Sequence, residues 1–341
     1  MSKNILITGA AGFIGSEFLR TIKGQDKEGK KTCFSNMRIN VVDKLTYAAD
    51  LSRLDPVKGR YNFYKADISD KLRIENIFMK LKPSIVVNFA AESHVDRSII
   101  DASLFMRANL IGVHVLLECC RKFSVEKLIH VSTDEVYGEI EKGSFKETDP
   151  LVPNSPYSAS KAAADLLIQS YVRTYGLAAV IVRPSNNYGP WQFPEKFIPV
   201  VIYKALRNEA VPVYADGSNV REWLYVNDCV NGIIRVAERG KIGQVYNIGS
   251  GEEKKNIDVA KLILKALSKP ESLIKFVKDR PGHDLRYSLD SRKIMNSLGW
   301  RPDVDFEKGL FSVIRWYKDN YPWLKKRVVN LRSYWKRVYQ A

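Results

Sequence analysis

Two short segments of the chain carry side chains that suit acid–base chemistry. In the first, PYSASK, Tyr157 and Lys161 lie four residues apart, so on a helix they share one face. A phenol with a pKa of about 10 is a poor base at neutral pH, and a nearby ammonium lowers that pKa by stabilising phenolate. The pair therefore predicts that Tyr157 transfers protons to and from a ligand and that Lys161 stabilises its phenolate. An ordinary helix surface is the alternative interpretation.

The second segment is STDEVYG, which begins at Ser132 and directly follows a predicted strand. Its residues Thr133, Asp134 and Glu135 offer a hydroxyl and two adjacent carboxylates. Ligands of open parallel sheets bind beyond the carboxyl ends of the strands. We therefore expect these three side chains to face a bound ligand, with helix capping as the alternative role for any one of them.

A glycine-rich turn follows the first predicted strand. In ITGAAGFIG, the residues Gly9, Gly12 and Gly15 open a helix that begins near Phe13. Glycines let the backbone approach a pyrophosphate, and the helix N-terminus supplies N–H donors and a favourable dipole. The strand, turn and helix in this order predict dinucleotide binding, whereas the glycines alone would also suit a tight turn.

Two aspartates indicate which dinucleotide is bound. Asp43 ends the second predicted strand, where a carboxylate accepts hydrogen bonds from the adenine-ribose diol and repels a 2′-phosphate. NAD is therefore favoured over NADP. The polar, lysine-rich residues 23–36 form a predicted surface insertion that lengthens the spacing from the glycines. Asp67 follows the third strand, and it either reaches the adenine edge or caps a helix.

The elements that must position these residues alternate between strand and helix. This alternation predicts an α/β fold with a Rossmann-like, doubly wound parallel sheet and a smaller C-terminal substrate-binding lobe. The predicted strands are residues 4–8, 38–43, 62–66, 85–90, 128–132 and 178–183.

Beyond about residue 184 prolines interrupt the pattern, which favours substrate-binding elements in that half. We predict an NAD-binding domain over 1–183 and a mainly substrate-binding lobe over 184–341. Parts of about 222–250 and 288–318 are expected to return to the first domain. The helical stretches 101–122 and 156–175 are apolar on more than one side, which predicts a homodimer through these helices.

Composition narrows the class of protein. The 341 residues are 45% hydrophobic and carry a net charge of +16, which suits a substrate with two phosphates. No uninterrupted apolar run reaches the roughly 18 residues that span a bilayer, and no signal peptide is visible at the first residues. No nucleic-acid recognition module is seen. The four cysteines lack metal-ligand spacing. We expect a cytoplasmic enzyme without metal, membrane or nucleic-acid partner.

Taken together, the motifs resemble the extended short-chain dehydrogenase/reductase family, and within it the NAD-dependent sugar-nucleotide 4,6-dehydratases that act on dTDP-glucose. The resemblance covers nearly the whole chain. The segments that carry it are ITGAAGFIG, DKLTYA, FAAESHVDRS, STDEVYG, PYSASK, RPSNNYGP, FPEKFIP, REWLYVND, NIGSGEEKKNIDV and DRPGHDLRYSLD.

The resemblance implies a role for each catalytic candidate. Tyr157 takes the proton of the sugar 4-hydroxyl while hydride passes from carbon 4 to NAD, with Thr133 hydrogen-bonding nearby and Lys161 tuning the phenol. Glu135 removes the proton on carbon 5, and Asp134 protonates the departing 6-hydroxyl. Hydride then returns to carbon 6, which gives a 4-keto-6-deoxy sugar and regenerates NAD.

The resemblance also implies two sets of binding residues. Arg221 and Arg280 are suited to clamping phosphate oxygens, with a surface ion pair as the alternative. The cofactor set is Gly9, Gly12, Phe13, Ile14, Gly15, Asp43, Lys44, Thr46, Asp67, Ile68, Phe89, Ala90, Ala91, Ser93, Asn109, Tyr157, Lys161 and Asn187. The sugar-nucleotide set is Ser93, Thr133, Asn186, Lys196, Phe197, Pro212, Tyr214, Arg221, Asn256, Asp279, Arg280, His283 and Tyr287.

Three other functions stay open at this stage. UDP-glucose is an alternative substrate for the same reaction. A UDP-hexose 4-epimerase would share NAD, Tyr157 and Lys161 but would need no acid and base aimed at carbons 5 and 6, so Asp134 and Glu135 disfavour it. A non-catalytic NAD-binding protein would have been free to lose the catalytic side chains, and all five are present.

Overall fold

The computed structural model describes residues 3–24 and 32–339, so part of the predicted insertion at 23–36 lies outside the described residues. The strands of this part of the chain are β1 (Asn4–Thr8), β2 (Arg38–Asp43), β3 (Asn62–Lys65), β4 (Ile85–Asn88), β5 (Lys127–Val131), β6 (Ala179–Pro184), β7 (Asn186–Tyr188), β8 (Val211–Tyr214), β9 (Val220–Tyr225), β10 (Val245–Ile248), β11 (Glu253–Lys255) and β12 (Ile274–Val277).

The α-helices in the same ranges are α1 (Phe13–Lys23), α2 (Lys71–Leu81), α3 (Val95–Ile100), α4 (Ser103–Phe105), α5 (Gly112–Lys122), α6 (Pro156–Tyr175), α7 (Phe197–Leu206), α8 (Val226–Arg239), α9 (Asn256–Ala266), α10 (Arg292–Leu298), α11 (Phe306–Asp319), α12 (Tyr321–Val328) and α13 (Arg332–Tyr339). A π-helical turn, Met106–Ile111, joins α4 to α5.

Seven of these strands form one parallel sheet in the order β10-β6-β5-β4-β1-β2-β3. The chain runs from β1 outward to β3 and then returns to β4 on the other side of β1. The strand order therefore reverses between β1 and β4, and in such sheets ligands bind at that crevice. The predicted Rossmann-like α/β class is confirmed.

The strands alternate their apolar side chains between two buried layers. On β1, Ile5 and Ile7 face one layer and Leu6 faces the other. On β4, Val87 and Val86 divide in the same way. Burial on both faces is typical of a parallel sheet with helices on each side, and it explains why these strands read as continuous apolar runs.

A second group of elements packs around a separate core. It contains the three-stranded sheet β11-β9-β7 and the pair β12-β8, with α7, α9 and α11 packed together. β10 returns to the central sheet, and α8 packs against α1. The exact division into residues 1–183 and 184–341 stays a prediction.

One continuous helix, Ser103–Lys122, combines α4, the π-helical turn and α5. By length and composition it is the one helix among the described residues that is long and apolar enough to cross a membrane. Half of its apolar window is buried inside the fold, as in a core helix. Its inner side packs against α2 and α6.

Candidate active site

A cavity of about 310 Å³ opens where the sheet reverses its strand order. It is lined by all five predicted catalytic residues and by every predicted cofactor residue except Asn109. Of the predicted sugar-nucleotide residues, Ser93, Thr133, Asn186 and Lys196 line it as well. The structure therefore brings the glycine turn, the STDEVYG segment and the PYSASK helix to one place.

The glycine turn leaves no room for a Cβ at two of its glycines. Gly9 has a φ of +72°, in the left-handed region that favours glycine, and a Cβ there would lie 2.5 Å from the amide nitrogen of Ala90. A Cβ on Gly15 would overlap the carbonyl oxygen of Gly9. Gly12 begins α1 without any side-chain cap, so the helix N-terminus keeps N–H groups for an anion. This cradle fits a dinucleotide pyrophosphate.

The two aspartates at the adenosine end differ in their surroundings. Asp43 accepts hydrogen bonds from the backbone N–H groups of Ala11 and Leu45 at 2.9 and 2.8 Å, and burial raises its pKa. The Asp67 carboxylate pairs with Lys44 Nζ at 2.7 Å. Burial opposes the charge of Asp67, but the bonds from Lys44 and Ser69 outweigh it and lower the pKa. The N-cap of α2 is Asp70, so Asp67 does not cap that helix.

The STDEVYG segment turns sharply after β5 and so aims two carboxyl groups at the cavity. Thr133 caps a 3₁₀ turn over Asp134–Tyr137, accepting from the Glu135 N–H at 3.3 Å and donating to Asp134 Oδ1 at 3.1 Å. The other oxygen of Asp134 is buried without a hydrogen-bond partner among the described residues. A buried carboxyl oxygen without a partner is expensive unless the group is protonated or meets a ligand.

The two neighbouring carboxyl groups differ in their charge environment. Burial raises the pKa of Asp134 well above its ordinary value, and the charges of Glu135 and Glu222 add to this. Burial also raises the pKa of Glu135, but Arg280, Lys196 and Arg221 oppose that rise. The pKa of Asp134 is thus raised further than that of Glu135, and the cations near Glu135 favour its carboxylate. A separation of this kind assigns acid and base roles in an active site.

Tyr157 lies in the first turn of α6, and the start of that helix is fixed by a capping box between Ser155 and Ser158. The Tyr157 amide also donates to Ser98 Oγ at 3.2 Å. Burial, followed by the charge of Glu135, raises the pKa of the phenol. The sequence predicted that Lys161 lowers this pKa. That role of Lys161 stays a prediction: in this structure burial has the largest influence on the pKa of Tyr157, and the Lys161 ammonium contacts His130 and Val131.

Lys161 instead reaches back into the sheet. Its Nζ donates to the carbonyl of Val131 at 2.7 Å and lies 3.3 Å from His130 Nε2. His130 Nδ1 is 3.0 Å from the Asn88 side-chain amide, and Asn88 accepts from the Thr8 hydroxyl at 2.5 Å. Burial lowers the pKa of Lys161 to about 8. A buried polar chain therefore links the lysine to β1, β4 and β5.

Asn109 lies behind the cavity wall rather than on it. It occupies the π-helical turn, fully buried, and its side chain accepts from the Glu92 N–H and donates to the Glu92 carbonyl, both at 2.9 Å. It also donates to Ser160 Oγ at 2.9 Å. These bonds tie the residue before Ser93 to α6. π-helical turns are frequent at functional sites.

The remaining predicted sugar-nucleotide residues lie outside the cavity lining. Arg221 donates to the carbonyl of Asp284 at 2.9 Å, and its guanidinium lies 4.4 Å from the Tyr287 ring. Arg280 pairs with Asp96 at 3.1 Å. Both arginines lie close enough to oppose the pKa rise of Glu135. The residues outside the lining are Phe197, Pro212, Tyr214, Arg221, Asn256, Asp279, Arg280, His283 and Tyr287.

The chain is similar to known proteins over most of its length. A sequence model described as GDP-mannose 4,6 dehydratase matches residues 6–312. A dTDP-glucose 4,6-dehydratase from Actinoplanes sp. is 44% identical over 321 residues, which are 94% of this chain and 99% of that protein. The chain belongs to this 4,6-dehydratase family. The resemblance on which the sequence interpretation depends is thereby confirmed.

Solved structures agree with membership of the 4,6-dehydratase family. A crystal structure of dTDP-glucose 4,6-dehydratase from Streptomyces venezuelae with NAD and TYD bound superposes with a TM-score of 0.90 at 44% identity, covering 95% of this chain and 99% of that one. A UDP-glucose 4-epimerase from Thermus thermophilus in complex with NAD is also similar, with a TM-score of 0.83 at 32% identity over 92% and 99% of the two chains.

Several residues of this 4,6-dehydratase site carry no signal in the sequence. Arg53 lines the cavity although it is fully buried, and it donates to the carbonyls of Ala11 and Ala48 at 2.8 Å. Glu195 also lines it and accepts from Arg97 at 3.0 Å. Arg53 sits in a 3₁₀ helix without a motif, so only the fold brings it to the glycine turn. Glu195 stands beside Lys196 in FPEKFIP, which is the one hint that the sequence offers.

Proposed function

We propose that this chain converts dTDP-glucose to dTDP-4-keto-6-deoxyglucose, with NAD held as a resident cofactor. One observation carries the proposal: two adjacent carboxyl groups, the buried Asp134 and the partly buried Glu135, share the cavity with Tyr157, and their charge environments differ. Elimination of water across carbons 5 and 6 needs both an acid and a base. A 4-epimerase needs neither at those carbons.

The cofactor-binding part of the cavity fits NAD. Gly9, Gly12 and Gly15 leave space for its pyrophosphate, and we assign Asp43, which lines the cavity, to the adenine-ribose diol. Bound there, NAD would supply reversible hydride transfer, from carbon 4 of the sugar at first and back to carbon 6 at the end. The relatives crystallised with NAD support this assignment.

The chain's own residues carry the proton transfers. Tyr157, as the phenolate, accepts the proton of the 4-hydroxyl while carbon 4 is oxidised, and the hydrogen bond from Thr133 favours that phenolate. The resulting ketone makes the proton on carbon 5 acidic, and Glu135 removes it as a carboxylate. Asp134, which holds a proton, gives it to the departing 6-hydroxyl so that water leaves. Each of these groups contributes roughly 100- to 10,000-fold in rate.

The phosphates of the substrate meet a positive end of the site. Lys196 lines the cavity, and the positive charges of Arg221 and Arg280 act on Glu135 from outside the lining. Guanidinium groups bind phosphate oxygens in a bidentate manner. We assign Arg221 and Arg280 to the diphosphate. The dTDP nucleotide is assigned because the similar enzymes are named for it.

The purified protein tests this proposal when it is incubated separately with dTDP-glucose and UDP-glucose. A 4-keto-6-deoxy product develops a strong absorbance in alkali, and we expect it with dTDP-glucose without added NAD. A product formed only from UDP-glucose would change the assigned nucleotide. Recovery of a 4-epimer without the alkali chromophore would overturn the dehydratase assignment.

We also propose a homodimer through the helix Ser103–Lys122 and α6. Leu104 and Ile111 on the first helix and Leu166 on α6 are exposed, although they are large and apolar. Such side chains on adjacent helices are typical of a subunit interface. Ile111→Glu with Leu166→Glu should shift sedimentation from dimer to monomer. Leu72→Glu, at an exposed position on α2, should leave a dimer; a monomeric wild type would contradict the proposal.

We propose a cytoplasmic location, because the proposed substrate is a charged nucleotide sugar of intracellular metabolism. Neither a membrane nor a nucleic acid is a proposed partner. Cell fractionation tests the location: the activity should remain in the soluble fraction after high-speed centrifugation. Recovery with the membranes would contradict it.

A further inference from the structure

The C-terminal helix α13 lies beyond residues 6–312, the span that matches the family. It is docked on the second lobe by Trp335, which is buried with its ring 5.7 Å from that of Tyr203. Lys204 Nζ lies 5.0 Å from the Trp335 ring. The basic residues Lys336 and Arg337 face solvent. The helix therefore has one anchored side and one free, basic side.

The anchored side of α13 also carries Tyr334, which packs on a charged cluster. The Arg97 guanidinium lies between two aromatic rings, 4.4 Å from Tyr334 and 3.9 Å from Tyr47. Cation–π contacts of this kind fix the plane of a guanidinium. Arg97 Nε donates to Glu195 Oε2 at 3.0 Å, and Glu195 lines the catalytic cavity.

The Tyr334 hydroxyl lies 3.4 Å from His94 Nε2, and the two rings meet edge to face. His94 stands next to Asp96, with 3.8 Å between Nδ1 and Oδ2. Asp96 in turn accepts from two groups: Arg280 at 3.1 Å and the Tyr214 hydroxyl at 3.1 Å. One aspartate thus orients both side chains.

A second tyrosine of α13 reaches the same place. The Tyr339 ring lies 5.8 Å from the Tyr214 ring. Tyr214 also meets His283 edge to face at 5.7 Å. Tyr334 therefore contacts His94, and Tyr339 contacts Tyr214. His94 and Tyr214 each contact the Asp96 carboxylate in turn.

We propose that α13 is a positioning element for the nucleotide end of the substrate. Tyr334 and Tyr339 hold the His94–Asp96 pair and Tyr214, so that Arg280 is oriented before substrate arrives. A side chain ordered in advance loses less freedom on binding, and the gain appears as affinity rather than as turnover. The inference rests on the proposed function, since it takes Arg280 to bind the diphosphate.

The test compares full-length variants. Tyr334→Leu combined with Tyr339→Leu should raise the KM for dTDP-glucose and the calorimetric Kd for dTDP about tenfold, a change equivalent to about 1.4 kcal/mol. The kcat should stay within about twofold of wild type, because no proton-transferring group is touched. Tyr334→Phe keeps the ring over Arg97 and loses only the hydroxyl, so it should recover most of the affinity.

Matched controls come from the free side of the same helix. Lys336→Ala with Arg337→Ala should leave the KM and the dTDP affinity unchanged. The inference is wrong if the leucine pair leaves both values unchanged, if it lowers kcat alone, or if the alanine pair weakens binding equally. If the leucine pair does not fold, the variant Tyr334→Phe with Tyr339→Phe replaces it. A small loss of affinity for dTDP is expected from this variant, and no loss would contradict the inference. A wild type that turns over neither nucleotide sugar would instead contradict the proposed function, while titration with dTDP and UDP would still test α13.

Discussion

The two ends of the cavity are made of different parts of the polypeptide. At the cofactor end, the glycine turn from Gly9 to Gly15 presents backbone and leaves no room for a Cβ at two of its positions. At the proposed sugar-nucleotide end, the long charged side chain of Lys196 lines the cavity, and Arg221 and Arg280 lie outside the lining on separate segments. A local turn fixes backbone groups, whereas the packing of the second lobe fixes these side chains. A single substitution in the glycine turn should therefore abolish NAD binding, whereas each substitution among the charged side chains should weaken substrate binding only in part.

The largest effect is expected at the backbone end. Gly15→Val places a side chain onto the carbonyl oxygen of Gly9, so the turn must open. We expect the purified variant to carry no NAD and to show no measurable turnover, with NAD released by denaturation as the assay. Gly12→Ala is the matched control, because its Cβ would lie 3.1 Å from the Gly9 oxygen and a small shift relieves the contact. A Gly15→Val variant that retained NAD would contradict the backbone account.

The catalytic turn should respond next most strongly. Asp134→Asn removes the proton donor, and kcat should fall roughly 100- to 10,000-fold. NAD content should not change, because Asp134 is not among the residues predicted to hold NAD. Glu222→Gln removes a charge that raises the Asp134 pKa without removing the acid, so it should cost much less. If the Asp134→Asn variant lost NAD instead, the proposed separation between the cofactor end and the catalytic turn would be contradicted.

The pH profile sharpens the same distinction. Turnover needs Glu135 ionised, so kcat should fall as pH drops through its raised pKa. It also needs Asp134 protonated, so kcat should fall again as pH rises through the higher pKa of that group. We expect a bell whose alkaline limb disappears in Asp134→Asn. If the alkaline limb were unchanged in that variant, it would belong to a group other than Asp134.

A smaller effect is expected beneath the catalytic turn. The Tyr137 hydroxyl accepts from Arg183 at 2.7 Å and donates to Asn247 at 2.8 Å, and Arg183 pairs with Asp165 of α6 at 2.8 Å. Tyr137→Phe removes the hydroxyl partner of two buried atoms, Arg183 Nη1 and Asn247 Oδ1, and should lower the free energy of unfolding by about 1–3 kcal/mol in urea. Tyr175→Phe, at an exposed position, is the control. Equal stability of the two variants would contradict this role.

The smallest effect concerns the lysine. His130→Leu removes one of two contacts of the Lys161 ammonium and should lower kcat at neutral pH about two- to tenfold, the range of one hydrogen bond. The exposed His114, changed to Gln, should have no effect. A loss as large as that of Asp134→Asn would mean that His130 itself transfers protons.

Sequence reasoning found the parts of the site that depend on local structure. The glycine turn, the STDEVYG segment and the Tyr157–Lys161 pair are each contained in a few residues, and the structure brings them together as predicted. The contact between Lys161 and His130 could not be predicted from the sequence, because a histidine in a strand gives no sign of which residues of other elements pack beside it. The same holds for Tyr334, whose contact with His94 spans most of the chain.

The Tyr157–Lys161 pair also shows the limit of spacing alone. Four residues on a helix place both side chains on one face, but they do not state how deeply that face is buried. Burial raises the pKa of the phenol and lowers that of the ammonium to about 8, and both effects depend on α3 and the π-helical turn packing over α6. Desolvation is a property of the fold, so the sequence could give only the identity of the groups.

The division of labour between Tyr157 and the two carboxyl groups is tested most directly by Glu135→Gln with bound NAD. When dTDP-glucose is mixed with this variant in a single turnover, oxidation at carbon 4 should proceed, so the absorbance of reduced cofactor should rise and persist. Little 4-keto-6-deoxy product should be released. Turnover at the wild-type rate, or no reduction of the cofactor at all, would contradict the assignment of Glu135 as the base at carbon 5.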